Sequence, residues 1–241
     1  MDGNLKYTRI LLKVSGEALM GDEKYGISNE PVMMIANEIK LAHDLGAQIA
    51  VVVGGGNIFR GLKNSAKIGL DRASGDYMGM LATVMNAIAL QSALRSMDVS
   101  TRVMTAIAMN QIAEPYVRFR AIRHLEKGRI VIFAAGTGNP FFTTDTASAL
   151  RASEIDAQAM LMAKNGVNGV YSDDPKTNKN AKKYDTISYD DIIMKGLKVM
   201  DTAACDLCKQ NKVPIIVFDF KEKGSICKVI KGEEIGTFVG D

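Results

Sequence analysis

Short apolar runs alternate along this chain with longer segments in which apolar residues recur every three or four positions. The runs predict buried strands, and the periodic segments predict amphipathic helices. The predicted strands cover 10–14, 47–53, 99–105, 129–135, 157–163 and 214–219, with an edge strand over 236–239. The predicted helices cover 31–45, 76–97, 118–127, 143–151, 188–194, 200–209 and 225–231. The polar, Asn- and Lys-rich stretch 176–183 is predicted to be a mobile surface loop.

The order of these elements predicts the fold class. The runs at 49–53 and 130–135 are apolar on both faces, which is typical of parallel strands covered by helices on both sides. Strand and helix alternate at least five times, so we expect a three-layer α/β/α sandwich with a mostly parallel central sheet. No convincing linker divides the 241 residues, and a single domain is predicted, with 164–185 as the best boundary between two lobes.

Composition and charge narrow the function classes. The 30 Lys and Arg residues against 27 Asp and Glu give a net charge of +3, whereas nucleic-acid-binding proteins are usually more strongly basic. The first residues lack the apolar stretch of a signal peptide, and no apolar run approaches 18 residues. A cytoplasmic protein without a membrane span is therefore expected. The 22 glycines exceed the roughly 17 that average usage would give.

Many of these glycines lie in three turns that follow predicted strands, KVSGE at 13–17, GGGNIFRG at 54–61 and GTGNPFFTTD at 136–145. Ligands collect at the carboxyl ends of strands in open α/β sheets. Glycine also lets backbone N–H groups approach a phosphate closely. None of the turns matches the Walker or dinucleotide-binding pattern. Simple chain reversal stays an alternative for any single turn, but together the three predict a polyphosphate site of another kind.

Charged side chains beside these turns suit phosphoryl transfer. Lys13 ends a strand and Arg60 follows three glycines, so both could face phosphate, although a snorkelling Lys and a surface Arg are the alternatives. Asp76, Asp145 and Asp201 stand at predicted helix starts, where helix capping alone would explain them. They could also orient ribose hydroxyls, Lys13 or Mg²⁺. An ionised phosphate acceptor needs positioning and charge neutralisation rather than a base, which agrees with only two His residues.

The cysteines offer a weaker candidate site. Cys205 and Cys208 have C-x-x-C spacing, but zinc needs about four ligands, and Cys227, His43 and His124 share no local spacing with them. We interpret the pair as core thiols, with redox or metal use as the alternative. No metal bound directly by protein ligands is predicted.

Six segments give the chain a resemblance to a known family: RILLKVSGEAL at 9–19, VVGGGNIFRG at 52–61, GDYMGMLATVMNAIAL at 75–90, AAGTGNPFFTTDTAS at 134–148, GVYSDDP at 169–175 and LKVMDTAA at 197–204. With these it resembles the bacterial UMP kinase family of the amino acid kinase superfamily. The resemblance implies an amino acid kinase fold and transfer of a phosphoryl group from ATP, with Mg²⁺, to UMP in pyrimidine nucleotide biosynthesis. It also implies a homohexamer, feedback inhibition by UTP and activation by GTP.

The resemblance further implies roles for individual residues. The catalytic group would be Lys13, Arg60, Asp145 and Asp201. ATP would be bound by Lys13, Val14, Ser15, Gly16, Gly56, Arg60, Asn165, Tyr171 and Asp174. UMP would be bound by Gly55, Asp76, Thr137, Gly138, Asn139, Pro140, Phe141, Phe142, Thr143 and Thr144. The GTP-response segment would be Gly21, Asp22, Glu23, Lys24, Tyr25 and Gly26. The UMP-binding lobe would cover 1–163, and the ATP-binding lobe 164–241 with the Lys13 loop.

Two alternative functions stay open from the sequence. A related kinase acting on an amino acid, a carbamate or an isoprenoid phosphate would share the fold and Lys13, but the GTGNPFFTTD turn argues against it. A nucleotide-sensing or nucleic-acid-binding module without catalysis would not need Lys13, Asp145 and Asp201 together. Around 164–166, Lys-Asn-Gly replaces a shorter Thr-containing version of some family members.

Overall fold

The structure is a computed structural model that describes residues 5–59, 69–175, 177–197 and 199–241. The strands are β1 (Arg9–Val14), β2 (Gln48–Val53), β3 (Thr101–Thr105), β4 (Glu114–Pro115), β5 (Ile130–Ala134), β6 (Ala159–Lys164), β7 (Val170–Tyr171), β8 (Lys183–Tyr184), β9 (Thr186–Ile187), β10 (Ile215–Asp219) and β11 (Thr237–Val239). The helices are α1 (Asn29–Asp44), α2 (Arg72–Ser96), α3 (Arg118–Glu126), α4 (Thr144–Glu154), α5 (Tyr189–Met194), α6 (Thr202–Gln210) and α7 (Ser225–Lys231), with a 3₁₀ helix over Gly16–Leu19.

Most of the strands form one sheet in the order β4-β3-β5-β2-β1-β6-β10-β11-β9. All neighbours run parallel except β10 and β11, which are antiparallel. Strand β1 lies in the middle, and its Lys13 is paired with Val52 of β2 and Met162 of β6. The carboxyl ends of β5, β2, β1 and β6 therefore lie side by side. Such a row of strand ends is where ligands bind in sheets of this kind.

Both faces of the sheet are buried. Alternate residues of each central strand point to opposite faces, so that Leu12 packs with α1, α2 and α7 while Leu11 packs with α3, α4, α5 and α6. The residues that face these helices are almost completely removed from water. The three-layer α/β/α sandwich with a mostly parallel sheet that the sequence predicts is thus confirmed.

The differences from the sequence-based elements have local causes. The predicted edge strand at 236–239 is wrong in its position, because β11 lies between β10 and β9. Helix α2 begins at Arg72, where Asp71 caps it by accepting a hydrogen bond from Ser74 N, so Asp76 does not start this helix. Strands β4, β7, β8 and β9 have two residues each, too few for a visible apolar pattern. The predicted loop at 176–183 ends in β8, which pairs with β7.

Helix α2 is long and apolar enough to cross a membrane by length and composition alone. Half of the stretch that meets this criterion is buried inside the protein. Met80, Val84 and Leu90 pack against the sheet, as expected for a core helix of a layered fold. The exposed half carries further apolar side chains, Tyr77, Met78, Leu81, Met85 and Ile88.

Candidate active site

The first two glycine-rich turns touch each other through their backbones. Gly54 N donates a hydrogen bond of 3.0 Å to Val14 O at the end of β1. A Cβ atom added to Gly16 would lie 2.5 Å from Gly54 O and 2.6 Å from Asn57 Oδ1. Contacts that short are forbidden between non-bonded atoms, so this approach requires glycine at position 16. The glycines here bring two strand ends into contact, which is a packing role beside any role in phosphate binding.

Lys13 lies where the turns meet and is paired with Asp145. It shares the strand face of Leu11, which α4 covers, and its ammonium lies 2.9 Å from Asp145 Oδ1 in the first turn of that helix. Both side chains are more than four-fifths buried. Among the described residues, no donor forms a hydrogen bond of suitable geometry with Asp145 Oδ1. The contact is therefore an ion pair, and the N–H groups of the ammonium stay available to another acceptor.

Asp201 joins the starts of two helices. As the cap of α6 it accepts a hydrogen bond of 2.8 Å from Ala204 N. Its carboxylate also accepts hydrogen bonds from the hydroxyls of Thr143, the cap of α4, and Thr146, the latter at 3.0 Å. The carboxylate therefore fixes the N-terminus of α4, where Thr143 Oγ1 already accepts from the N–H groups of Asp145 and Thr146 and where the helix dipole favours a bound anion.

Beyond the end of β2, the strand on one side of β1, lies a cavity of about 250 Å³, here called the turn cavity. It is bordered by α2 and by the second and third glycine-rich turns. Its lining includes most of the residues that the resemblance connects with UMP, and one that it connects with ATP: Gly55, Asp76, Thr137, Asn139, Phe142, Thr143 and Thr144, with Gly56. Gly138, Pro140 and Phe141 belong to the same turn but do not line the cavity.

Asp76 connects α2 to the third turn. Its Oδ2 atom accepts hydrogen bonds from Phe141 N at 2.8 Å and from Arg72 Nε at 3.1 Å. Phe141 has a φ of +72°, a conformation that a non-glycine residue rarely adopts. Strained backbone of this kind persists where the surroundings impose it, and it is found preferentially at functional sites. Asp76 thus holds the turn in a shape that the turn would not take alone.

Beyond the end of β6, the strand on the other side of β1, lies a second cavity of about 430 Å³, here called the loop cavity. It is bordered by the end of β6, by the β7–β8 hairpin and by the segment after α5. Tyr171 and Asp174 line it, as the resemblance implies for ATP, whereas Asn165 is exposed in the turn after β6 and does not. Tyr171 donates a hydrogen bond of 2.6 Å from its hydroxyl to Asn168 Oδ1.

The other residues that were assigned to nucleotide binding from the sequence lie in several different parts of the structure. Val14 is buried, Ser15 is half-buried and begins the 3₁₀ helix, and Arg60 lies outside the described residues. The segment from Gly21 to Gly26 is at the surface, and two hydrogen bonds join Gly26 to Asn57 in the second turn.

Cys205 and Cys208 are buried in the core, where burial raises their pKa values to about 11 and about 12.

The sequence reasoning missed Lys164 and Arg72. Lys164 is the last residue of β6 and Lys13 is the last but one of β1, and that similar position near a strand end was the signal that could have found it. Its ammonium donates a hydrogen bond of 2.7 Å to Val199 O on the wall of the loop cavity. Burial and the nearby Lys13 ammonium lower the pKa of Lys164, while Asp145 opposes that effect. Arg72 holds Asp76 and lies over the ring of Phe141.

Comparison with known proteins agrees with this geometry. Residues 8–219 match the amino acid kinase family. The chain is 56% identical over 238 residues to the uridylate kinase of Ruegeria sp. (strain TM1040), covering 99% of this chain and 94% of that protein. It superimposes on the UMP kinase structure from Bacillus anthracis with a TM-score of 0.95, at 43% identity over 98% and 96% of the two chains. For the UMP kinase structure from Ureaplasma parvum the TM-score is 0.91, at 35% identity over 98% of this chain and 100% of that chain. The chain therefore belongs to the amino acid kinase family.

Proposed function

We propose that this protein is a UMP kinase, which transfers the γ-phosphoryl group of ATP to UMP and forms ADP and UDP. The observation that carries the proposal is the position of Lys13 on β1, between β2, which leads into the turn cavity, and β6, which ends at the loop cavity. The turn cavity has the residues expected to bind UMP, and the loop cavity has residues expected to bind ATP. The relatives named uridylate or UMP kinase match nearly the whole chain, which supports the same assignment.

In the proposed reaction an oxygen of the UMP phosphate attacks the γ-phosphorus of ATP. The bond between that phosphorus and the β–γ bridging oxygen breaks, and the oxygen leaves on ADP with the electron pair. No base is required, because the attacking phosphate is already ionised. Lys13 would neutralise charge on the transferred group, and Asp145 would keep its ammonium in place. The N-terminus of α4, fixed by Asp201, would add the positive end of its helix dipole near the same point.

Each cavity suits the nucleotide assigned to it. In the turn cavity, Asp76 would accept hydrogen bonds from ribose hydroxyls and keep the third turn closed against UMP. Tyr171 in the loop cavity would contact the adenine nucleotide, and Gly16, Gly56 and Arg60 would contact the phosphates, as the resemblance implies. We also propose that the domain has two lobes that correspond to the two cavities. Residues 1–163 would bind UMP, and residues 164–241 together with the Lys13 loop would bind ATP.

Mg²⁺ fits this site as part of the ATP complex. The described residues contain no group of three or more His, Cys, Asp or Glu side chains arranged to hold a metal. The nearby carboxylates already have partners, since Asp145 pairs with Lys13 and Asp201 accepts hydrogen bonds from hydroxyls and a helix N–H. The ion would be held by phosphate oxygens and water, where it neutralises phosphate charge. The protein would orient that complex through Lys13 and the backbone N–H groups of the turns.

We propose further that the protein is a cytoplasmic homohexamer regulated by UTP and GTP. The exposed apolar side chains of α2 form one stripe on a long helix, Tyr77, Met78, Leu81, Met85 and Ile88, which suits contact with a second copy. The two hydrogen bonds between Gly26 and Asn57, one donated by each residue, connect the segment 21–26 with the second turn, which supports an effector response there. Light scattering of the purified protein and assays with added UTP or GTP test these points.

The activity is tested with a panel of phosphate acceptors. Purified protein is incubated with ATP, Mg²⁺ and UMP, CMP, dUMP, an amino acid, a carbamate or an isoprenoid phosphate at equal concentration. We expect UMP to give the highest kcat/KM, measured as ADP release and as UDP by chromatography. Folded protein that forms no UDP above background would overturn the proposal, and preference for a non-nucleotide acceptor would favour the related small-molecule kinase.

A further inference from the structure

Lys164 is a second buried lysine at the proposed transfer centre. Side chains alternate along a strand, so Lys164 of β6 points to the same sheet face as Met160 and Met162, the face that α4 covers. Lys13 of β1 points to this face as well and is paired with Met162. Lys164 is two residues further along the neighbouring strand, which puts the two Cα atoms ~8 Å apart. A triphosphate is long enough to reach both side chains.

The two lysines differ in what neutralises them. Lys13 has Asp145 at 2.9 Å. Across the parts of the chain that the structure describes, Lys164 has no carboxylate within ion-pair distance, and its hydrogen bond goes to the uncharged carbonyl of Val199. A buried ammonium without an anion, and close to a second ammonium, is costly. The lowered pKa of Lys164, caused by burial and by the Lys13 ammonium, agrees with that cost.

The surroundings of Lys164 indicate what would neutralise it. Its side chain lines the loop cavity together with Tyr171 and Val199, and Asp145 is close enough to influence its charge from the other side. The ammonium therefore lies between the cavity proposed for the adenine nucleotide and the Lys13–Asp145 pair. An anionic group that extends from this cavity toward Lys13 would pass it.

We propose that Lys164 is a second phosphate-binding lysine, which contacts β- or γ-phosphate oxygens of the donor nucleotide from the loop-cavity side while Lys13 contacts the transferred group. This inference rests on the proposed function and adds a residue to it. A pair of ammonium groups on adjacent strands would hold the donor phosphates between them. Charge would then be neutralised on the leaving oxygen as well as on the transferred group, where it is most needed in phosphoryl transfer.

The kinetic test compares Lys164→Met and Lys164→Arg with Lys209→Met. Lys209 is a matched control because its ammonium pairs with Asp190 at 2.6 Å, away from both cavities. We expect Lys164→Met to lose roughly 100-fold in kcat/KM for ATP, with KM for UMP within about 3-fold of wild type. Lys164→Arg should recover part of the loss because it keeps the charge, and Lys209→Met should stay within about 2-fold. A Lys164→Met enzyme with wild-type kcat/KM for ATP would overturn the proposal.

A binding test separates phosphate contact from a structural role. Calorimetry measures the affinities of wild type and Lys164→Met for ATP and for adenosine, and calorimetric unfolding measures stability without ligand. We expect weaker binding of ATP only, and an unfolding temperature at or above that of wild type, because a buried unpaired charge is gone. Equal losses for both ligands with a lower unfolding temperature would overturn the inference. If wild type binds ATP but forms no UDP, the proposed function fails while this comparison still tests Lys164.

Discussion

The turn cavity and the loop cavity lie on opposite sides of Lys13, and they are built differently. The turn cavity is bordered by one long helix, α2, and by turns that leave central strands of the sheet. The loop cavity is bordered by two-residue strands and by irregular segments between 164 and 199. The first is held by contacts such as Asp76 to Phe141 N, and the second by the pairing of β7 with β8.

The two cavities therefore differ in how strongly their geometry depends on the sheet. The turn cavity inherits its shape from buried elements, so its geometry is fixed as soon as the sheet and α2 are packed. The loop cavity depends on a short hairpin at the surface, where local stability is lowest. We infer that acceptor binding relies on rigid geometry and that donor binding relies on ordering of the hairpin. The predictions below test whether the two cavities can be damaged separately.

The largest effect is expected from Lys13→Ala, because Lys13 serves both cavities. Removing its ammonium takes away charge stabilisation at the transferred group, so kcat should fall at least about 100-fold. Steady-state kinetics with varied ATP and varied UMP measure it. We expect the same size of loss for Arg60→Ala, on the evidence of the sequence. A Lys13→Ala enzyme with near-wild-type kcat would contradict the role assigned to Lys13.

The next effect is expected from Asp76→Ala, which should damage the turn cavity alone. The substitution removes the acceptor for Phe141 N and Arg72 Nε and releases a strained turn. Loss of charge-assisted hydrogen bonds of this kind costs about 1.5–3 kcal/mol, so KM for UMP should rise roughly 10- to 100-fold. The affinity for ATP, measured by calorimetry without UMP, should be unchanged. A parallel loss of ATP affinity would show that the cavities are not independent.

Two glycine substitutions offer a matched comparison. A Cβ atom at Gly55 in the turn cavity would lie 2.6 Å from Gly79 O, and one at Gly169 in the loop cavity would lie 2.5 Å from Thr237 Oγ1. The first clash is with Gly79, which lines the turn cavity, and the second is with Thr237 behind Gly169, which itself lines the loop cavity. Each substitution must therefore shift a residue that lines its cavity, and small displacements in a site are costly. We expect Gly55→Ala to raise KM for UMP about 10-fold and Gly169→Ala to raise KM for ATP about 10-fold. Either variant raising both KM values equally would remove the distinction between the cavities.

The smallest effect is expected from Tyr171→Phe. The change removes only the hydroxyl that donates to Asn168 Oδ1 on the exposed side of the loop cavity. A single neutral hydrogen bond contributes about 0.5–1.5 kcal/mol, so KM for ATP should rise by no more than about 10-fold. KM for UMP should not change, so the variant also shows whether a change in the β7–β8 hairpin affects donor binding alone. A large loss in kcat would place Tyr171 closer to the chemistry than the structure does.

The sequence predicted the turn cavity better than the loop cavity for a physical reason. Long apolar runs and helical spacing locate β1, β2, β5 and α2, and the glycines after the strands then mark the cavity. The loop cavity depends on the pairing of Val170 with Tyr184, and a two-residue strand has no pattern that local sequence could show. Tyr171 and Asp174 were identified by resemblance alone.

Individual residues also show what local sequence patterns could not predict. The glycine-rich turn that follows Lys13 marks it as a candidate, whereas Lys164, which also lies near the end of a strand, is not among the residues predicted from the sequence. That the two share one face of the sheet depends on the register between β1 and β6, which the sequence does not reveal. From the sequence, Asp76 is interpreted either as a helix cap or as a residue that orients ribose hydroxyls. The cap is Asp71, five residues earlier, and Asp76 instead accepts a hydrogen bond from the distant Phe141 N.

The central position of β1 in the sheet has a consequence for how the protein matures. Lys13 is among the first residues to be synthesised, but Asp145 and the β6 strand beside it follow more than 130 residues later, and Asp201 later still. Parallel pairing between such distant segments is slow to form. A nascent chain that has already made α1, β2 and α2 therefore has no transfer centre. The transfer centre is complete only after β6 has paired with β1 and Asp201 has fixed the start of α4.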